Sequence, residues 1–332
     1  MASRSRENST RMDEQPNLRL RIARSAGSGL KTGLGTAAFL IKIMIPVSLV
    51  VALLDWSGLL FYLARFLAPG MRLIGLPGEA ALALVSGFLL TNYSGIAVLT
   101  VLGLPVREAT IVAIICLTAH NLIVETAVMR KAGSSALKMV LLRLGMGLAA
   151  GWVFNLLLPG APAPASFTPP PQAIAVWSTL PPALAAWGLG TMRLVLKIFL
   201  LVIAIMVTQR LLEEFHVAEF LARTFAPLMK GFGLPDSASL LWLVINLVGY
   251  AYGAAIIMEQ IEGGKMKRQE ADLFNHHAAM SHSLLEDTLL YGTLGIPLFW
   301  LTVPRLVMAL AVVWAERLRR TAFRRSFRVG TV

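Results

Sequence analysis

The chain has 332 residues, 56% of them hydrophobic and only 14% charged, with a mean hydropathy of +0.69. Soluble globular proteins carry about 25% charged residues, so this composition excludes a soluble domain and indicates an integral membrane protein. The formal net charge of +12 gathers at the two ends, where juxtamembrane cations set topology and meet anionic lipid headgroups; nucleic acid is not an expected partner.

Residues 1–32 are polar and basic, with Arg4, Arg6, Arg11, Arg19, Arg21, Arg24 and Lys31. They contain no apolar signal core, so they are expected to remain as a cytoplasmic tail. Apolar stretches of spanning length follow at 36–56, 79–102, 106–129 and 135–158, and again at 190–212, 237–260, 271–294 and 297–316. Between the two sets, residues 159–187 carry no charge and include a proline run at 169–171, as expected of a periplasmic linker. Residues 317–332 form a second basic tail. The single Cys116 excludes an intramolecular disulfide framework and a cysteine metal knuckle.

The two sets of stretches are copies. Gly33-Leu34-Gly35-Thr36 returns as Gly188-Leu189-Gly190-Thr191, Leu63-Ala64-Arg65 as Leu221-Ala222-Arg223, and Gly75-Leu76-Pro77 as Gly233-Leu234-Pro235. His120, Glu125, Gly133 and Arg143 answer to His282, Asp287, Gly295 and Arg305. Basic termini inside and an uncharged linker outside require an odd number of crossings per half. In each half the second stretch is interrupted, by Thr91-Asn92-Tyr93-Ser94-Gly95 and by Gly249-Tyr250-Ala251-Tyr252-Gly253, and reads as a re-entrant hairpin. Residues 57–75 and 214–230 read as interfacial amphipathic helices. The expected fold is an all-α integral membrane protein. It is an inverted repeat of two units, 33–158 and 188–316, each with three transmembrane helices, one interfacial helix and one re-entrant helical hairpin.

The candidate site residues follow from cost, because an ionisable side chain at the bilayer centre is unfavourable by roughly 2.5 to 3.5 kcal/mol. Treated as continuous helices, 106–129 places Thr118, Asn121 and Glu125 on one face and Cys116 with His120 on another, and 271–294 places Ser283 with Asp287 apart from His282 and Glu286. Glu125 and Asp287 are expected near a pseudo-two-fold axis facing the hairpin tips. There Asn92, Tyr93, Ser94, Tyr250 and Tyr252 offer amide, hydroxyl and aromatic surface, so these residues with Asn121 and Ser283 form the candidate substrate site. His120, His282 and Glu286 are candidate proton or ion contacts. Lys42, Arg143, Lys197 and Arg305 are candidate structural ion-pair partners, Glu125 with Lys42 or Arg143 and Asp287 with Lys197 or Arg305. His276 and His277 read as interfacial. No resident metal is expected, since the histidines and carboxylates occupy different faces and only one thiol is present.

The run Ala119-His120-Asn121-Leu122-Ile123-Val124-Glu125-Thr126, following Gly75-Leu76-Pro77 and the broken stretch, resembles the nucleoside-recognition or Gate domain family. That domain type occurs in concentrative nucleoside transporters, in the membrane part of ferrous-iron transporter B and in paired spore-maturation membrane proteins. The resemblance covers 36–158 well and 190–316 more loosely, and it implies the inverted repeat with re-entrant hairpins. The chain lacks the GTP-binding domain of the iron transporter and has no match at Asn92 to Gly95 for the Gln-Thr-Glu tip of nucleoside transporters, so no binding residue is carried over.

The expected function is secondary transport or permeation of a small polar solute, such as a nucleoside, across a bacterial inner membrane, with both termini cytoplasmic. The alternatives are a non-transporting assembly protein of the spore-maturation type, or a divalent-metal permease. Partners are the bilayer and its anionic headgroups, the solute, and a homo-oligomeric copy or second membrane subunit. No His-Glu-x-x-His, Gly-x-x-x-x-Gly-Lys-Ser/Thr or Gly-x-Ser-x-Gly motif occurs, so enzymatic activity and cofactors are not expected.

Overall fold

The computed structural model describes residues 17–160, 179–235, 238–247 and 249–329, apart from the side chains of 218, 219, 251, 252 and 323–329. The described residues form helices and connecting turns without a strand. In chain order the first half contains α1 (Leu18–Trp56), α2 (Leu59–Arg72), α3 (Ala80–Leu89), α4 (Asn92–Leu102), α5 (Val106–Ala119), α6 (Leu122–Lys131) and α7 (Ala136–Leu157). The second contains α8 (Leu180–Glu214), α9 (Val217–Gly231), α10 (Ser239–Leu247), α11 (Tyr250–Glu262), α12 (Arg268–Ser281), α13 (Leu284–Gly292) and α14 (Leu298–Val329).

Five segments are long and apolar enough to cross a membrane: α1, α5 with α6, α7, α8, and α14 to Ala322. The segment 271–294, expected to cross as well, is not among them. Its polar residues, from Asp272 through His276 and His277 to Asp287, dilute the apolar surface below that of its counterpart. The stretches 79–102 and 237–260 are each two short helices, with breaks at Leu90–Thr91 and before Tyr250. At the second break Gly249 has φ 109°, a conformation closed to side-chain-bearing residues.

Helices reach into both the stretch read as the first tail and the stretch read as linker. Helix α1 starts at Leu18 and runs 39 residues, about 58 Å, so Arg19, Arg21, Arg24 and Lys31 extend the first helix. Helix α8 starts at Leu180, inside the stretch read as linker; the proline run at 169–171 lies outside the described residues.

The largest helix pair is α1 with α8. Arg21 pairs with Glu214 at 2.7 Å, Trp187 Nε1 donates to Ser48 Oγ at 3.2 Å, and Trp56 Nε1 donates to Thr179 Oγ1 at 3.0 Å. Partner numbers fall as α1 numbers rise, so the two helices are antiparallel along their whole length. Small residues permit the approach: a Cβ on Gly29 would lie 2.6 Å from Val207 Cα, and one on Gly33 3.1 Å from Ile203 Cα. Amphipathic α2 buries Leu60, Ala64, Ala68 and Met71, one helical stripe, and exposes Phe66. At the centre lies α5, whose residues from Glu108 to Ala119 are all buried. It packs on α7 of its own half and on α12 and α14 of the other.

Candidate functional site

Neither stretch read as a continuous central helix is continuous. Helix α5 stops at Ala119; His120 is extended with ψ 160°, and Asn121 is left-handed with φ 47° before α6 begins. The second half repeats this: His282 is extended with ψ 164° and Ser283 has φ 50° between α12 and α13. The backbone N–H of Asn121 donates to Gly87 O at 2.9 Å, and that of Ser283 to Ile245 O at 2.9 Å. Each break is thus stitched to the first helix of the neighbouring interrupted stretch.

A break inside a membrane protein strands helix-terminal carbonyls away from water, each costing several kcal/mol if unpaired. Two fully buried arginines meet that demand. Arg143 donates from Nε to Thr118 O at 2.9 Å and from Nη2 to His120 O at 2.7 Å. Arg305 donates from Nε to Met280 O at 3.2 Å and from Nη2 to His282 O. The planar guanidinium supplies this two-carbonyl fork and a lysine does not.

The breaks turn His120 and His282 toward each other. Their Nε2 atoms lie 3.4 Å apart and their ring centroids 5.0 Å apart. Each Nδ1 sits against a carbonyl one turn back, Cys116 O at 3.1 Å and Ala278 O at 2.7 Å, which assigns the Nδ1 proton and aims Nε2 inward. His120 Nε2 is 3.0 Å from Glu125 Oε1 and 3.7 Å from Asp287 Oδ2; His282 Nε2 is 3.3 Å from Glu125 Oε2. Arg143 Nη2 holds Glu125 Oε2 at 2.7 Å. The separation of His120 from Glu125 read from a helical wheel is therefore wrong, because the wheel assumes a helix that Asn121 interrupts.

The residues expected at the tips divide. Tyr93 donates to Glu286, reaching across the halves, and Tyr291 donates to Asn92 Oδ1 at 3.3 Å. The ring of Tyr250 lies 5.8 Å from that of His282, with its hydroxyl donating to Asn275 Oδ1 at 2.7 Å. Ser94 is buried but engaged by Thr91, with Oγ to Thr91 Oγ1 at 3.3 Å, and serves the start of α4. Asn121 and Ser283 contribute the breaks through their backbones. Tyr252 has a side chain outside the described residues.

Of the expected ion pairs, Glu125 with Arg143 forms. Arg305 makes no pair with Asp287; its guanidinium serves the two carbonyls. Lys42 and Lys197 are exposed and reach neither carboxylate. The α1–α8 contact uses the opposite faces, through Gly33, Ala37, Leu40 and Met44 on one helix and Leu194, Ile198 and Val202 on the other. His276 and His277 are buried, not interfacial: His277 Nε2 accepts from Trp242 Nε1 at 2.8 Å. Sequence reasoning missed Tyr291 and Asn275. Asn275 ties the halves through Ser134 Oγ at 2.9 Å and Ala132 O at 3.2 Å; the only signal was an amide in a buried-helix pattern.

A second acidic group, Asp272 with His276 and Glu316, lies where α12 meets α14. It is saturated by cations: Glu316 accepts from Lys138 and Arg319 at 2.8 Å and from Arg320 at 2.7 Å. That is a brace between helices. The His120–His282 centre has no such saturation, and Asp287 Oδ2 is buried without a hydrogen-bond partner.

These features define an α-helical integral membrane protein with an ionisable centre assembled from both halves of the chain. The profile of the Gate family, described as nucleoside recognition, matches residues 37–136, which run from α1 through the first break to the start of α7. A protein of Bacillus subtilis (strain 168), named uncharacterized membrane protein YvoD, is 31% identical over 303 residues, covering 87% of this chain and 95% of that protein. The chain belongs to this Gate-domain membrane protein family. No solved structure matches it.

Proposed function

We propose that the chain is a secondary transporter or permease for a small polar solute, and that the solute or its coupling ion binds where His120, Glu125, His282 and Asp287 converge. The observation carrying this reading is that an ionisable group from each half meets the other within hydrogen-bond range in the apolar interior, at a depth where such groups are costly unless used or paired. The antiparallel α1–α8 pair and the matched breaks support an inverted repeat with re-entrant hairpins, and discontinuous helices at the repeat interface are how such transporters build their sites. The family description favours a nucleoside or related metabolite, with Tyr93 and Tyr250 beside the centre for stacking. We place the protein in the inner membrane with both termini cytoplasmic and α2 and α9 flat on opposite surfaces. We read it as a non-enzyme.

The test is a thermal-shift screen of purified protein with nucleosides, nucleobases and amino acids, followed by uptake into proteoliposomes, for wild type, Glu125→Gln and Asp287→Asn. One compound class should stabilise wild type and fail with Asp287→Asn. No response to any class, with uptake absent, contradicts the reading.

One observation favours a second reading, an assembly protein that docks another membrane subunit. Lys42, Arg193 and Lys197 are exposed on the outward face of the α1–α8 pair, and the antiparallel register sets Arg193 level with Lys42. Cations in spanning helices call for an acidic neighbour in the membrane. On this reading Lys42→Gln with Lys197→Gln shrinks the native-membrane complex.

A further inference from the structure

We propose that His120, His282 and Asp287 form a binding site for a divalent transition-metal ion, with Glu125 beside it and a fourth coordination position open. One ligand atom from each of the three residues lies within 4.8 Å of the others. Four-coordinate zinc with bonds of 2.0–2.1 Å separates its ligand atoms by about 3.3 Å. Here the two Nε2 atoms are 3.4 Å apart, His120 Nε2 to Asp287 Oδ2 is 3.7 Å, and the Glu125 oxygens lie 3.0 and 3.3 Å from the two imidazoles. The spacings about His120 are near those of a coordination shell around a small cation, while His282 and Asp287 stand wider apart, within 4.8 Å.

Three further observations point the same way. Both imidazoles are locked with Nδ1 on a backbone carbonyl and Nε2 facing the centre, the arrangement that orients metal-ligating histidine. Asp287 Oδ2 is buried with no hydrogen-bond partner, an acceptor left for an ion. The surrounding formal charge is set by Glu125, Glu286 and Asp287 against Arg143 and Arg305, one negative in sum, so a divalent ion leaves a single positive charge for an anionic group at the fourth position. Two imidazoles and a carboxylate suit Zn²⁺ or Co²⁺ and disfavour Mg²⁺ and Ca²⁺. Cys116 takes no part, since its Sγ is turned to Ala83 O at 3.9 Å. Metal binding requires both Nε2 atoms to be unprotonated. The inference stands whether or not the centre moves a solute.

The full-length protein, stripped of metal in detergent, is titrated with Zn²⁺ and with Co²⁺, and bound metal is counted after desalting. About one ion per chain is expected, with visible Co²⁺ bands of four-coordinate intensity and protons released on binding. His120→Gln with His282→Gln should abolish binding, Asp287→Asn should weaken it at least tenfold, and Asp272→Asn in the brace should leave it intact. Absence of bound metal, or binding that survives the double histidine variant, overturns the site. If that variant does not fold, X-ray absorption of the wild-type zinc protein decides: two imidazoles with oxygen support the site, and a shell without imidazole overturns it. A metal-binding protein that moves no solute contradicts the transport reading alone, and uptake without metal binding contradicts this inference alone.

Discussion

The two central breaks share a backbone and differ in chemistry. In the first, Arg143 caps two carbonyls and also holds Glu125 at 2.7 Å. In the second, Arg305 caps two carbonyls and holds no carboxylate. The shared part is what a discontinuous membrane helix requires in either copy, since stranded carbonyls must be satisfied whatever the protein does. The unshared part is free to serve function. Glu125 therefore has both a structural and a chemical role, while Asp287 is buried and braced by no arginine.

The largest effect should come from removing a cap. Arg143→Ala leaves two buried carbonyls unpaired and takes the guanidinium from Glu125, a loss of about 3 to 5 kcal/mol, seen as low folded yield and a depressed unfolding temperature in detergent. Arg143→Lys should recover part of it, because one ammonium cannot span both carbonyls. Full stability of Arg143→Ala would remove the cap from the account. Next, the carboxylates should separate: Glu125→Gln lowers stability as well as solute or ion binding, while Asp287→Asn weakens binding at least tenfold with stability close to wild type. Equal destabilisation by both would erase the distinction between the breaks. A smaller loss, about 1 to 3 kcal/mol, is expected from Gly33→Leu, which overfills the α1–α8 contact, measured by the same unfolding assay. The smallest belongs to Lys42→Gln, whose stability should match wild type since Lys42 braces neither carboxylate; a large drop would reinstate the ion pair.

Much of this was legible in the sequence. Composition and stretch length identify the membrane class, and the internal echoes place His120, Glu125, His282 and Asp287 at corresponding positions before any coordinates. The breaks themselves were not legible: Ala119 to Leu122 and Ser281 to Leu284 contain no glycine or proline. Asn121 and Ser283 enter the left-handed region because capped ends and hydrogen bonds to distant helices of the same chain hold them there, which is tertiary information. The continuous wheel therefore misplaced His120 relative to Glu125. The pairing of Lys42 and Lys197 failed for another reason. Periodicity says that a side chain sits on a face, and only packing says which face the neighbouring helix takes.

The central claim is that side chains 162 positions apart in the chain meet in the interior. A double-mutant cycle on unfolding free energy, with His120→Gln, His282→Gln and their combination, measures that meeting directly. Direct contact predicts a coupling of at least about 0.5 kcal/mol, whereas distant sites add within about 0.3 to 0.5 kcal/mol. Strict additivity, with both single variants folded, would mean that the two halves do not share a site.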